Sequence, residues 1–548
     1  MKLFSLLFIV LLVHCIHIAL GDTFTINNAN DWNTLITQAS GGSFPDEISL
    51  GEDLDLSAVE FSPLGINKDG DCIPFTGTFN GNEHTIQNVK MDKTEDTAFS
   101  CAGLFCGLGH GATVENLIID ETCSFAGESA GVLSPSAFGS VTVKRITTKA
   151  SVNGINSASG LIGSVVNISQ AEIIFDSCVV NASVSSQKGN SNAGGFISII
   201  HNITDVKITT INSSHNGVVK APTGCAGGFI GLGENSTKLT ILFEETKHTG
   251  VIPSGGWIGG FIGKMENNEE MSIFLKQASS EGLTVQGSAL GDYTGGFVGQ
   301  FKSNKNSSFF SQNATAFGDI SGSSTGSCSI GCLIGDLSGN RNFFFVIQHF
   351  KHDMVLNAQG NFYTYMGGIV GYVNGNNNTT IIDEASTSNG SFTSSSPFVK
   401  IGNTIGAMES NNNMNLVVNN GLSSGVFNGK SKAQSWIGGF VGTIQSNENV
   451  SVVMTHIKNT AKLALRPGAE GYGGGFFGSW NSNKNVAIAI TDGKNYGTID
   501  CVTGANGMLG GVAGFFEKNT NVMMNISQFV NDGTITSNAK APGYCGGM

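Results

Sequence analysis

Apolar and polar positions along this chain follow one recurring phrase. Aligned on the residue just before an apolar pair, it reads Gly228-Phe-Ile-Gly, Gly260-Phe-Ile-Gly, Gly296-Phe-Val-Gly, Cys332-Leu-Ile-Gly, Gly368-Ile-Val-Gly, Asn403-Thr-Ile-Gly, Gly439-Phe-Val-Gly, Gly475-Phe-Phe-Gly and Gly511-Val-Ala-Gly. Successive copies stand 32, 36, 36, 36, 35, 36, 36 and 36 residues apart. A fixed period of that length marks an array built from one supersecondary unit. Looser copies at Gly103, Gly131, Gly160 and Gly195 carry the array back to about residue 100.

Within each unit a pair of asparagines follows, as at Asn304 and Asn306, Asn340 and Asn342, Asn447 and Asn449, and Asn483 and Asn485. Asparagine tolerates left-handed turns and bonds its own backbone, so these are corners. Val486, Ile488 and Ile490 then alternate with alanines, the period-two signature of a strand. A third strand-like piece recurs as Gly497-Thr-Ile499 and Gly533-Thr-Ile535. Three short strands and three turns per unit, with no helical period, predict an all-β fold: a single-stranded parallel β-helix, or solenoid, with coils of about 36 residues. Equivalent residues then stack from coil to coil. Glycines allow tight corners, Phe, Ile and Val fill the interior, and asparagines form hydrogen-bonded ladders. At about 4.8 Å per coil the rod is roughly 60 Å long, or nearer 120 Å if each unit makes two small coils.

The ends divide the chain into three. Residues 1–21 read as a signal peptide: Lys2, an apolar stretch from Leu3, then small residues at Ala19 and Gly21, with an uncleaved anchor as the alternative. Residues 22–100 read as an N-terminal cap leading into the first coils, and 101–548 as the solenoid array. The last phrase, Gly546-Gly547-Met548, is read as an array cut off inside a repeat, because solenoids need a terminal cap. No second hydrophobic span follows the leader, so no membrane span is expected in the mature chain.

Composition narrows the function classes. Of 548 residues 76 are glycine, and only 13 % are charged against 40 % apolar, which fits a packed, glycine-punctuated strand protein. The net charge of -13 is spread thinly without basic clusters, so nucleic acid is excluded as the principal partner. Eleven cysteines include Cys15 in the leader. The crowding of Cys72, Cys101, Cys106 and Cys123, and the close pair Cys328 and Cys332, make these the disulfide candidates of an oxidising compartment. Zinc is the rival reading, but no CxxC pair exists. Asn-x-Ser/Thr acceptors begin at Asn167, Asn181, Asn202, Asn212, Asn235, Asn306, Asn313, Asn377, Asn378, Asn389, Asn449 and Asn525. In an exported eukaryotic chain these are glycosylation candidates, although a chain so rich in Asn, Ser and Thr also makes sequons by chance.

The run Phe61-Ser-Pro-Leu-Gly65, then Pro74-Phe-Thr-Gly-Thr-Phe-Asn-Gly-Asn82, His84-Thr-Ile86 and Gly103-Leu-Phe105 with Val114-Glu-Asn-Leu117, resembles the lead-in of surface proteins that carry GLUG-type repeats. The Gly-Gly-Phe-Val-Gly phrase resembles the repeat itself, over about residues 45–548. The resemblance implies a right-handed, pectate-lyase-like β-helix in an exported, adhesin-like protein. The 36-residue spacing is longer than usual for that motif, and Cys332 and Asn403 break its glycine pair.

Several motifs imitate catalytic sites. Gly127-Glu-Ser129-Ala-Gly131 and Gly322-Ser-Ser324-Thr-Gly326 match the nucleophile-elbow pattern, but neither stands between a strand and a helix. Gly109-His110-Gly111 resembles a polygalacturonase segment, yet the converging aspartates of that chemistry are missing and arginine occurs only at Arg145, Arg341 and Arg466. Asn67-Lys-Asp69-Gly-Asp71 lacks the glutamate of a calcium loop, and His349 and His352 fall on opposite faces of a strand. Trp257, Trp436 and Trp480 form either a sugar-stacking row or corner packing, the second being favoured. No catalytic residue, metal ligand or cofactor is therefore assigned. The expectation is a secreted or cell-surface spacer or adhesin, non-enzymatic, meeting glycans, extracellular matrix or other cells. The alternatives are a carbohydrate-active β-helix (polysaccharide lyase or hydrolase) and a surface coat or antigen protein.

Overall fold

In the computed structural model, described for residues 22–94, 100–281, 285–287, 293–502, 506–538 and 544–546, the chain is a parallel β-solenoid of about 13 turns. The leader, residues 1–21, lies outside the described residues, as does most of the Gly282-Leu-Thr-Val285 stretch. One coil runs through strands Glu470–Gly474, Phe477–Asn481, Lys484–Thr491, Lys494–Asn495 and Thr498–Cys501. Each pairs in parallel with its counterpart one repeat away: Val441 with Phe477, Val450 with Val486, Leu463 with Ile499. One repeat is therefore one coil. The strands after the glycine pair form a sheet of twelve.

Steric limits explain the phrase. A Cβ on Gly474 would lie 1.9 Å from the carbonyl oxygen of Phe477, and on Gly438 2.0 Å from that of Val441, so the first glycine of each pair permits a hairpin-tight corner. The second glycine makes room for an interior side chain: Cβ atoms on Gly228, Gly439 and Gly475 would meet His248, Asn459 and Asn495 at 2.4, 2.7 and 2.7 Å. Where Asn403 replaces that glycine, the corresponding interior residue is the small Ser423. Where Cys332 does, the ring of His352 lies against the next corner, 2.5 Å from where Gly368 would carry a Cβ. Gly473, by contrast, occupies a position that holds Ile437 and Leu509 in adjacent coils.

The asparagine corners make two ladders. Asn268, Asn304, Asn340, Asn376, Asn411, Asn447 and Asn483 are buried, and each donates its Nδ2 to the Oδ1 of the next rung at 2.9–3.1 Å. The same Nδ2 donates to a carbonyl of the preceding coil, as Asn447 does to Met408 at 3.0 Å. Each Oδ1 also accepts the backbone N–H of the rung behind it. The second asparagine of each pair is exposed and left-handed (φ +49° at Asn306, +54° at Asn485), and Asn485 donates to Asn449 at 2.9 Å. Low interior dielectric makes such satisfied amide chains stiff and unsatisfied ones costly.

A further interior rung, His215, His248, Ser280, Ala316, His352, Ser388, Ser423, Asn459 and Asn495, runs beneath the glycines. His215 and His248 stack at 5.1 Å with Nδ1 atoms 3.1 Å apart. Burial holds His215 and His352 down at about 3 and His248 well below its ordinary value.

At the other end, the parallel stack begins with Thr23–Ile26 on Glu47–Leu50. A helix absent from the sequence reading, Ala29–Ser40, buries Trp32, Leu35 and Ala39, and Trp32 stacks on Phe61 at 5.6 Å. Its N-cap is Asn28, whose side chain accepts from the N–H groups of Asn30 and Asp31. Cys72 and Cys106 form a disulfide in this region. Cys101, Cys123 and Cys332 lie outside any disulfide, and Cys328 is buried in the strand Cys328–Gly331.

Asn447→Ala should lower the opening free energy of the adjacent ladder amides by about 2–4 kcal/mol, because it orphans buried partners. Asn485→Gly, which keeps the left-handed backbone of an exposed rung, should cost less than about 1 kcal/mol. Hydrogen exchange at the Asn411 amide reads both.

Acid should also destabilise the rod. The histidines' folded values lie below the unfolded value of about 6.5, so protonation favours unfolding, and their contribution is lost as pH falls from about 6.5 toward 3. Each gives up about 1.4 kcal/mol per pH unit. Asp383 and Asp336, raised by burial to about 7 and about 6, work the other way, gaining stability until about pH 4. Melting temperature should therefore fall most steeply below about pH 4, and a His215→Asn/His248→Asn variant should flatten that fall. Melting curves across this range check it.

Candidate ligand-binding cleft

Because the chain folds back sharply at each glycine pair, the outer faces of the strands before and after the corner confront each other. A lengthwise cleft results. Along Gln434–Gly438 burial alternates, sending Ser435 and Ile437 inward and Gln434 and Trp436 into the cleft. In register down that wall stand Trp257, Tyr293, Ser329, Tyr365, Lys400, Trp436 and Tyr472. Opposite them stand Lys264, Gln300, Asp336, Tyr372, Ala407, Thr443, Ser479 and Phe515.

The first half of the cleft is filled by its own side chains. Lys264, 7 % exposed, holds its Nζ 4.3 Å from the Trp257 ring centroid and pairs with Glu266, which also binds Lys302 at 2.9 Å. Gln300 and Ser338 donate to Asp336 at 2.8 and 2.6 Å. Tyr365 stacks on Tyr372 at 4.1 Å, and Tyr372 donates to Glu409 at 3.0 Å. Lys400, 3 % exposed, pairs with Glu409 and lies 5.3, 5.5 and 5.2 Å from the rings of Tyr363, Tyr365 and Trp436. Burial pulls the Lys400 amine down from its ordinary value, against the opposing pull of Glu409.

Beyond Lys400 the facing column shrinks to Ala407, Thr443 and Ser479. A cavity of about 290 Å³ opens there between Lys400, Trp436 and Tyr472 on one wall and Ser479, Gln445 and Asn481 on the other, with Phe515 and Glu517 at its far end. Glu470 borders it, accepting from Gln434 Nε2 at 2.6 Å and from the Tyr472 hydroxyl at 2.5 Å. Burial and the Glu470 carboxylate both push the Tyr472 hydroxyl up.

Of the three tryptophans read from the sequence, only Trp436 lines this cavity. Its ring lies parallel to Tyr472 (5.7 Å, 13°), so the faces stack along the rod and do not form open sugar platforms. Trp480 is fully buried against Phe477, and Trp257 carries Lys264. Lys400, Glu470 and Tyr472 were missed. The signal was present in the aromatic residue that precedes the glycine pair at Trp257, Tyr293, Tyr365, Trp436 and Tyr472.

The imitated catalytic motifs resolve into turns and strands. Ser129 lies in the strand Ser124–Gly131, where its hydroxyl accepts from Ser157 at 2.8 Å and donates to the Pro135 carbonyl at 3.5 Å. Ser324 ends the strand Thr315–Ser324 and accepts from the Gly326 N–H. His110 is exposed, accepting from the Ser140 N–H at 3.4 Å. Arg145 pairs with Glu115, Arg466 with Asp500, and Arg341 is exposed on the long wall. Asn67 closes its own turn by accepting from the N–H groups of Asp69 and Asp71. His349 is exposed at a left-handed corner (φ +56°) between the strands Arg341–Gln348 and Lys351–Gly360, and His352 is buried in the second of these, so the two do not share one strand as the sequence suggested. Among the described residues no group of three or more His, Cys, Asp or Glu is placed to hold a metal ion.

The fold and cleft together define the class: a parallel β-solenoid with an axial, aromatic-walled cleft. No family profile matches the chain, so the GLUG resemblance stays a resemblance. A 129-residue stretch is 30 % identical to Halomucin of Haloquadratum walsbyi (strain DSM 16790 / HBSQ001); it covers 22 % of this chain and 1 % of Halomucin. A solved structure from Bacteroides ovatus, provisionally assigned as an immunoglobulin A1 protease, overlaps 46 % of this chain and 74 % of its own at 18 % identity and a TM-score of 0.35. No helix among the described residues is long and apolar enough to cross a membrane.

Lys400→Met should lower the local opening free energy by about 3 kcal/mol, since it strands Glu409 in the cleft. Lys400→Met/Glu409→Gln should recover most of it. Hydrogen exchange at the Ile401 amide distinguishes the two.

Proposed function

We propose that the protein is a secreted or cell-surface solenoid that acts without catalysis, as a spacer or adhesin, with its cleft as the contact surface for glycans, matrix or other cells. The observation that carries this reading is the cleft's construction. Its walls are columns of the repeat itself, so each added coil lengthens the surface in register while burying more core. Two further facts support it. Every sequon asparagine except the half-buried Asn181 is exposed, as acceptor sites in an exported chain require. One stretch is similar to a protein named Halomucin.

A coat or antigen role is the second reading, favoured by one feature of the long wall. Leu242, Phe274, Phe310, Val346, Ile382, Val417 and Val453 form an outward, half-buried apolar column in register. Such a stripe suits side-by-side packing of rods.

The test is binding of purified residues 22–548 to a panel of cells, matrix proteins and glycans. The adhesin reading expects saturable binding to at least one surface. Concentration-dependent lateral association without any such binding would replace it with the coat reading. Release of oligosaccharides from a polysaccharide panel would replace both with the carbohydrate-active alternative.

A further inference from the structure

The cleft wall twice binds an ammonium group of its own chain. Lys264 Nζ lies over Trp257 at 4.3 Å, and Lys400 Nζ sits among Tyr363, Tyr365 and Trp436 at 5.2–5.5 Å. In both places a carboxylate completes the site, Glu266 for Lys264 and Glu409 for Lys400. The pattern is ring face plus acid around one alkylammonium, an arrangement that electrostatics favours once water is excluded.

One step along, an acid stands beside the cleft without a lysine of its own. Trp436 and Tyr472, stacked on each other, form the wall, the facing column is cut back to Thr443 and Ser479, which leaves the 290 Å³ cavity, and Glu470, bonded to the lining residues Gln434 and Tyr472, supplies a carboxylate at its border. Glu470 is bonded only by neutral donors, Gln434 and Tyr472, and among the described residues it has no cationic partner. Glu409 is already matched by Lys400, and Glu517, at the far end, by Lys518 at 3.6 Å. The uncompensated charge beside the cavity is therefore that of Glu470. This balance disfavours uronates, sialates and sulfated sugars, and a neutral sugar would leave that charge unmatched.

We propose that the cavity between Trp436, Tyr472 and Ser479 binds a compact alkylammonium group, a primary amine or its methylated form, with Glu470 as counter-ion. Gln445 and Asn481 face the same space and offer amide hydrogen bonds to the ligand's polar substituents. The ammonium fills the space left by the cut-back facing column, the column that Lys264 occupies in an earlier coil, while its substituents point along the open cleft. The proposal deepens the adhesin reading by giving its contact surface a chemistry. Its test uses free small molecules, so failure of adhesion and failure of this site are separate results.

Residues 22–548 are titrated by calorimetry and tryptophan fluorescence with choline, with its neutral isostere 3,3-dimethylbutan-1-ol, and with Nα-acetyl-lysine amide as a free copy of a protein side chain. Choline, lysine amide or both should bind, and the neutral alcohol at least tenfold more weakly than choline. Glu470→Gln and Ser479→Leu, which removes the charge or fills the cavity, should each weaken binding at least tenfold with melting temperature unchanged. Glu448→Gln, on the long wall, should have no effect. Should Ser479→Leu disturb the coil, the Glu470→Gln result carries the test. Preference for choline over lysine amide marks a free quaternary amine as the ligand, and the reverse marks a partner's side chain. Equal affinity for choline and its neutral isostere, full affinity in Glu470→Gln, or no binding of either amine at about 10 mM overturns the proposal.

Discussion

The corner at each glycine pair is a contact between two pieces of backbone too close for any side chain. A Cβ on Gly474 would stand 1.9 Å from the Phe477 carbonyl, and the same clash recurs at Gly367, Gly331 and Gly295. That approach makes the chain reverse inward where an ordinary solenoid corner turns outward, and three features depend on it. The strands on either side confront each other and create the cleft. The second glycine exposes backbone to the interior rung of His, Ser and Asn side chains. The following glycine of the phrase, Gly478, lets the twelve-stranded sheet pass within 2.4 Å of the Gly442 carbonyl, measured from where its Cβ would be.

A rod built this way has little variety in its hydrophobic core, so polar groups do much of the specifying. Leu, Ile, Val and Phe at equivalent positions would pack nearly as well if one coil slid past another. The buried asparagines would not, because each rung holds both the side chain and the backbone N–H of its neighbour. Where the interior rung carries imidazole in place of amide, at His215 and His248, the same geometry becomes sensitive to acid. The cleft is a third polar system, in which lysines, acids and aromatic rings are matched coil by coil until the facing column runs out of bulk at Ala407.

Much of this was legible in the sequence, and the limits of legibility have physical reasons. Spacing fixes register, so the coil length, the Asn304-to-Asn483 corners and the strand at Val486–Ile490 were all readable. Spacing does not say which way a corner bends. The strand before each glycine pair, Glu470–Gly474 in one coil, went unread because a run of glycines hides its alternation. The helix Ala29–Ser40 was missed because its apolar face is short, although Asn28 and Asp31 mark its start. Trp436 was visible as a candidate, but its partners were not. Lys400 and Glu409 lie on either side of a corner, and only the inward bend brings them together. The cysteines were legible as a crowd, and folding selected Cys72 with Cys106 from it.

The account stands or falls on the closeness of backbone at the corner, and two neighbouring glycines test it directly. Gly473 and Gly474 differ by one position, yet the atoms nearest a Cβ on Gly473 would be side-chain methyls of Ile499, Leu465 and Leu509 at 2.9–3.0 Å, while one on Gly474 would meet a carbonyl at 1.9 Å. Hydrogen exchange of Gly473→Ala and Gly474→Ala, read at the amides of Phe440, Phe476 and Phe477, is the decisive measurement. Near-native protection in the first variant and its loss across the adjoining coils in the second is the predicted result. Native protection in Gly474→Ala would contradict the account.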